Sequence, residues 1–263
     1  MPPAQAPAPL QTATRSELIA KYAQLAESVH SINAAVTMQL TAGSAYSGVI
    51  EQYHQVNGFI LAQKPSDIRV IGQAPVVSKN IFDMVSDGDT YHIFIPSKNQ
   101  FLVGSAKQEK TSSKPIENLR PQHLTDAIFW RAIPDSEPIL FEEAAQGTAH
   151  DYVLTVIHQA GKEWEIDRKI IFDRIDLSLS EIETYNSMGQ VESEIHYSKW
   201  SSEGGPLYPR QISVNRPIED YQFQIGVTRV TVNEAVEAGR FTLQQPEGSQ
   251  LVRVGENSKE PAN

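Results

Sequence analysis

Residues 81–95, IFDMVSDGDTYHIFI, decide the fold. Two apolar runs, Ile81–Val85 and Tyr91–Ile95, are joined by Ser86-Asp87-Gly88-Asp89-Thr90. Asp-Gly between alternating segments is the strongest local hairpin signal, because the tight turn needs a positive φ that Gly accepts without steric cost. The flanking chain repeats the pattern. Phe59–Ala62 runs into a Lys64-Pro65 stop, and Asp67–Gly72 alternates again. Residues 59–103 therefore read as a meander of antiparallel strands. A long meander curls, and a curled sheet either fills its hollow or holds something in it.

Most of the remaining chain reads as strand. Before the meander come Val36–Thr41, Gly48–Val56 and Gly58–Gln63, and Gln100–Val103 closes it. The second half adds Tyr152–His158, Glu163–Phe172, Leu177–Tyr185, Val191–Trp200, Arg210–Asn215, Tyr221–Val230 and Phe241–Gln244. Gly161, Asn186-Ser187-Met188-Gly189 and Gly204-Gly205-Pro206 separate them with turn chemistry. No βαβ alternation is present, which argues against a parallel sheet. One face of these strands is apolar. Tyr152, Leu154 and Val156 point one way, as do Tyr221, Phe223, Ile225 and Val227, while Gln222, Gln224 and Thr228 oppose them.

Helices are few. Thr14 and Glu17 form a capping box, followed by an apolar stripe of Leu18, Tyr22, Leu25, Val29 and Ile32. A second helix begins near Pro121, carries Leu124, Ala127, Ile128 and Arg131 on one side with Phe129 and Trp130 on another, and ends before Pro134 and Pro138. Between the meander and this helix lies a polar stretch, Gln108–Lys114, read as a mobile loop. Two helices cannot cover more than ten strands from outside. The expected fold is thus mainly β, a single antiparallel sheet curled into an unclosed half-barrel. Both helices pack on its concave side as plug or lid. Residues 1–13 read as a Pro/Ala tether, 14–250 as one half-barrel domain, and 251–263 as a polar flexible tail. The tether is open to two readings: a loose terminus, or the end of an anchor whose export signal and lipid-bearing cysteine lie upstream.

Composition narrows function. The chain has 263 residues and a net charge of −10, which argues against a nucleic-acid binder and against a broad electrostatic face for anionic membranes. There are no cysteines, so disulfides, thiolate catalysis and zinc–thiolate sites are excluded. No apolar run approaches the roughly 20 residues of a membrane span. Motifs for a nucleophile elbow, a zinc protease, a P-loop or a dinucleotide fold are absent. The seven histidines, His30, His54, His92, His123, His150, His158 and His196, are scattered, and none pairs at helical i, i+4 spacing. Asp83, Asp87 and Asp89 read as turn and strand-end aspartates in preference to a calcium site. Glu163, Glu165 and Asp167 read as a solvated strand face, with Trp164, Ile166 and Arg168 behind it. No metal, no cofactor and no catalytic residue is nominated.

The order of these features resembles the LolA/LolB-type lipoprotein carriers. That family shows a strand ending in a basic residue and Pro, a basic or aromatic strand, an apolar strand, Ser-Asp-Gly, and an aromatic strand closing in Pro. The matching residues here are Lys64-Pro65, Asp67–Val70, Phe82–Val85, Ser86-Asp87-Gly88 and Tyr91–Pro96. The ending Phe241-Thr242-Leu243-Gln244-Gln245-Pro246-Glu247-Gly248 resembles the family's Phe-Thr-Phe-x-Pro-Pro-x-Gly finish. The likeness implies a non-catalytic periplasmic carrier or receptor whose apolar cavity takes the acyl chains of a lipoprotein or other lipid. Implied partners are lipid or lipoprotein acyl chains and the sorting components of the inner or outer membrane. Phe59, Leu61, Val70, Phe82, Val85, Phe94, Leu154, Ile195, Tyr197, Phe223 and Ile225 are the candidate cavity residues. Lys64, Arg69, Leu124 and Ile128 are the candidate lid and latch. Where the family commonly has an arginine latch this chain has Lys64, which makes point contacts and no bidentate fork. The protruding apolar loop of the receptor-type member has no equivalent here. The alternative function is a protein-interaction module of the same fold, such as an envelope-stress sensor.

Overall fold

The computed structural model describes residues 9–43, 50–74, 79–107, 119–146, 149–203 and 205–254. Among the described residues two α-helices, α1 (Arg15–Ser28) and α2 (Pro121–Ile128), accompany fifteen strands. The first group is β1 (Ser31–Ala42), β2 (Glu51–Gln52), β3 (Val56–Gln63), β4 (Asp67–Gln73), β5 (Asn80–Ser86), β6 (Thr90–Ile95) and β7 (Gln100–Ser105). After α2 come β8 (Ile139–Gln146), β9 (Ala149–Ala160), β10 (Glu163–Asp173), β11 (Leu179–Tyr185), β12 (Val191–Ser201), β13 (Tyr208–Arg216), β14 (Tyr221–Val232) and β15 (Gln250–Arg253).

All of them belong to one sheet. Its order is β15-β7-β6-β5-β4-β3-β1-β14-β13-β12-β11-β10-β9-β8, with β2 added to β1. Two meanders, β3–β7 and β8–β14, are joined by β1, which pairs with β3 on one side and β14 on the other. Every pair is antiparallel except β15–β7, where Gln250 lies opposite Gln100. β8 and β15 remain unpaired edges, so the sheet curls without closing. The fold class read from the sequence holds, with β15 as a parallel addition.

The Asp87-Gly88 turn forms as its chemistry requires. Gly88 has φ 91°, and the Asp87 carboxylate accepts from the amides of Asp89 (2.9 Å) and Thr90 (2.8 Å). These amides hold the Asp87 carboxyl below its ordinary value. Asp83 pairs with Arg69 and Asp89 with Lys107, so each of the three aspartates has a structural partner.

Thr14 caps α1 as expected: Glu17 N donates to Thr14 Oγ1, and Thr14 N donates to the Glu17 carboxylate. The helix is shorter than the apolar stripe. It ends at Ser28, Val29 is its cap, and Ile32 belongs to β1. Three side chains satisfy its last carbonyls. Ser28 Oγ donates to Leu25 O, Asn233 Nδ2 to Ser28 O and Lys64 Nζ to Ala26 O.

Other expectations shift. β8 and β15 were not read from the sequence. Phe241–Gln244 is no strand: a 3₁₀ turn spans Ala238–Phe241. The sheet runs on to Arg253, past the boundary placed at residue 250. Gln11 N donates to Arg174 O, so the end of the supposed tether touches the domain. On β10 a bulge at Asp167 breaks the alternation; Trp164 is 57% exposed, while Arg168 is buried. The loop Gln108–Lys114, residues 1–8 and the tail beyond Val254 lie outside the described residues.

The core fills the concave side. Leu18, Tyr22 and Ala26 of α1 and Leu124, Ala127 and Ile128 of α2 join inward residues from β1 across to β14 and β10. Past α2, Trp130 is buried against Tyr197, Trp200 and Tyr208 at ring-centroid distances of 5.7–5.9 Å. Removing such a plug leaves a large void. Trp130→Ala should cost about 3–5 kcal/mol in urea denaturation; a loss under about 1 kcal/mol would show that this half of the hollow is not held by that ring.

Candidate functional site

A cavity of about 760 Å³ remains between α2 and the meander side of the sheet. Inward residues of β1, β3–β7, β14 and β15 line it: Met38, Leu40, Val56, Val70, Phe82, Met84, Tyr91, Ile93, Ile95, Leu102, Phe223, Ile225 and Val252. Leu119, Arg120, Pro121 and Leu124 roof it from α2 and the residues before it. Its exposed wall residues include His54, Ile81 and Lys98, which lie beside β2, on β5 and in the β6–β7 turn.

The hollow stays open because of its glycines. Gly58 and Gly72 face each other across β3 and β4, and Phe82 lies opposite Gly72 on β5. A Cβ on Gly72 would come within 2.3 Å of the Phe82 ring, and one on Gly58 within 2.7 Å of Met38 Cε. Large side chains thus lie flat over bare backbone instead of standing into the hollow. Tyr91 does the same over Gly104, where a Cβ would lie 2.5 Å from the ring.

The lid is held at both ends. At its start, His123 Nδ1 contacts the Tyr221 hydroxyl of β14. Burial, with the nearby Arg216 and Arg120 guanidiniums, pushes the His123 pKa down to about 3, so the ring is neutral in the folded protein. Past its end, the buried Arg168 donates to the carbonyls of Arg131 (3.3 Å) and Ala132 (3.0 Å). Asp167 pairs with both Arg168 and Arg131. Tyr22 of α1 donates to the Arg131 carbonyl at 2.9 Å. The chain after α2 is thereby fastened to β10 and α1 through its backbone.

The candidate residues separate into three places. Val70, Phe82, Phe223, Ile225 and Leu124 come together in the cavity wall. Leu154, Ile195, Tyr197 and Ile128 are concave but belong to the packed core. Phe59, Leu61, Val85 and Phe94 are on the convex face, because their inward neighbours are Ile60, Met84 and Ile93 and side chains alternate along a strand. Phe59 is 45% exposed there. Arg69 is also convex: it forks onto Asp83 and donates to Arg240 O, fastening the chain after β14 to the outer surface, not the lid. Lys64 does reach a helix. Its Nζ donates to Ala26 O at 2.5 Å and stands 5.7 Å from the centroid of the Phe129 ring just past α2. Burial pulls its pKa below the ordinary lysine value.

No family model matches the chain, and no curated protein is similar to it in sequence. Solved structures are. A LolA superfamily protein from Nitrosomonas europaea superposes with TM-score 0.53 at 11% identity, over 88% of this chain and 99% of that one. A domain described as an outer membrane lipoprotein-sorting protein from Vibrio parahaemolyticus gives 0.53 at 9% identity, over 86% and 94%. A DUF1329 family protein from Desulfovibrio piger gives 0.53 at 14% identity, over 86% and 94%. The chain shares its fold with these three structures.

Within this shared fold, sequence reading missed several site features. Met38, Leu40, Met84, Ile93 and Leu102 were not nominated, although all but Leu102 sit an even number of residues from another wall residue of the same strand, a signal present in the alternation. Arg168 as the clamp on the chain after α2 had one legible sign, a charge at an inward position beside Ile170 and Phe172. The floor glycines carried no sign before the pairing of β3 with β4 was known.

Two outcomes follow from the lid. His123 has a folded pKa below its unfolded value of 6.5, so its contribution to stability is present above about pH 6.5 and fades as pH falls toward 3. Urea denaturation over that range should show a shallower acid decline for His123→Gln than for the wild type; parallel curves would refute the assignment. Arg168→Met should lower stability by about 3 kcal/mol and speed amide exchange from Phe129 to Ile133 before the rest of the sheet. Uniform exchange with unchanged stability would show that the clamp is idle.

Proposed function

We propose that this protein is a non-catalytic carrier or receptor for acyl chains in the periplasm of a two-membrane bacterium, taking a lipoprotein or another lipid. The observation behind this reading is the apolar cavity of about 760 Å³ under α2, inside a LolA-type sheet whose other half is packed solid. Each exposed methylene costs roughly 0.8 kcal/mol in water, so a carrier needs a lined apolar cleft and no reacting group. The cavity wall has that character: aliphatic and aromatic side chains over a glycine floor. Among the described residues no cluster of three metal-ligating side chains exists, and no helix is long and apolar enough to cross a membrane.

The proposed acyl site keeps Val70, Phe82, Phe223 and Ile225, with Leu124 as its lid, and adds Met38, Met84, Ile93 and Leu102. Lys64 is proposed to seat both helices through Ala26 O and Phe129. Residues 1–8, proposed as part of a membrane tether, lie outside the described residues.

Native mass spectrometry of protein purified from a lipid-containing host tests the reading. The wild type should carry co-purified acyl lipid. Leu102→Trp and Met84→Trp, which fill the cavity, should lose most of it while melting within about 5 °C of the wild type. Consistent absence of lipid from the wild type would favour a protein-interaction module on the same fold.

A further inference from the structure

The cavity wall departs from the rest of the chain in the sign of its charge. The protein carries 32 acidic against 22 Lys and Arg residues, yet among the described residues no Asp or Glu lines the cavity, whereas Lys98 and Arg120 do, together with His54. We propose that the guest is an amphiphile with an anionic head, a carboxylate or a phosphate. Its chain lies along Met38, Phe82 and Met84 of the cavity wall, and its head rests at the mouth against Lys98. This rests on the carrier reading above and specifies its ligand class.

The geometry at the mouth supports a fixed cation. Lys98 ends the 3₁₀ turn Pro96–Lys98 between β6 and β7. That turn is held on two sides: Asn99 N donates to Pro96 O, Asn99 Nδ2 to Gly248 O, and Gln250 N to Asn99 O. The turn is thereby tied to the entry of β15, whose Val252 is part of the same wall. Among the described residues the Lys98 ammonium has no hydrogen-bond or ion-pair partner, and its side chain is exposed. It is free to meet a head group without first leaving a carboxylate.

Deeper in, Arg120 caps α2 with its side chain buried against the lid. Its positive charge adds to that of Lys98 along one wall. An anion entering headfirst would leave water for an apolar floor. Entering chain-first, it buries its methylenes and keeps the head at the rim beside Lys98. A neutral head of equal chain length gains the same apolar burial and none of this attraction.

Isothermal titration calorimetry with dodecanoate, dodecyl phosphate and dodecanol at about pH 8, where both acids are ionised, separates the terms. The wild type should bind at least one anion roughly fivefold or more tightly than the alcohol, the size expected of a partly exposed ion pair. A preference for one of the two anions identifies which head the mouth takes. Lys98→Glu, at an exposed turn position, should erase that preference and leave dodecanol affinity within about twofold. Equal binding of all three, or a preference that survives Lys98→Glu, overturns the head-group assignment while leaving the carrier standing. Failure of all three to bind, in a protein that folds normally, removes the carrier reading itself.

Discussion

Two short helices must cover the concave face of a very wide sheet, and the rest of the structure answers to that shortage. At about 1.5 Å per residue, α1 is about 21 Å long and α2 about 12 Å. Fourteen strands in sequence, spaced about 4.8 Å apart, describe an arc on the order of 65 Å. No placement of these helices covers such an arc completely. The sheet solves one half with aromatic bulk, packing Trp130 against Tyr197, Trp200 and Tyr208. The other half it leaves open, with glycines where large side chains would otherwise meet.

The shortage also explains why the lid is tied by backbone contacts. α2 alone buries too little to hold its own position, since short helices depend on tertiary support. Arg168 and Tyr22 therefore grip main-chain carbonyls just past it, where a change of side chain at Arg131 or Ala132 would leave the grip intact. At the other end of the lid, His123 meets Tyr221 and is kept neutral, so its ring adds no further charge to those of the nearby Arg120 and Arg216. Lys64 ties α1 to the chain beyond α2, making the two helices one cover.

The fold was legible because its signals are local. Asp87-Gly88 set a turn, and regular turn spacing with no helix between strands required a meander. The candidate site was less legible because a cavity is a property of pairing. Phe82 and Val85 cannot share a face of one strand, and apolarity alone did not choose between them; the choice was made by Gly72 opposite Phe82 and by His92 opposite Val85. Phe59 and Leu61 were read as inward because they are large, yet the small Gly58 and Ala62 hold the inward positions beside Ile60. β8 and β15 escaped notice as edge strands, which need only one partner and so carry a weaker alternation. The bulge at Asp167 put Trp164 on the face opposite Arg168, where a strict two-residue period places both together.

The size of the cavity limits what can be inside it. A sealed, dry void costs about 24 cal/mol per Å³ relative to a packed interior, so about 760 Å³ would cost roughly 18 kcal/mol. That exceeds the 5–15 kcal/mol that separates most folded domains from their unfolded chains. The space therefore cannot be a sealed void in a stable protein. It is wetted through the mouth beside His54, Ile81 and Lys98, or it is occupied. Water against Val70, Phe82, Ile93 and Ile225 is itself poorly held, because these walls offer few hydrogen-bond partners. An apolar guest thus gains twice, by leaving water and by releasing the water it replaces. The guest then stabilises the folded state in proportion to its concentration over its dissociation constant. The unfilled half of the hollow is in this sense a stability deficit that a bound guest would remove, and the solid half around Trp130 is what lets the domain carry that deficit while it is empty.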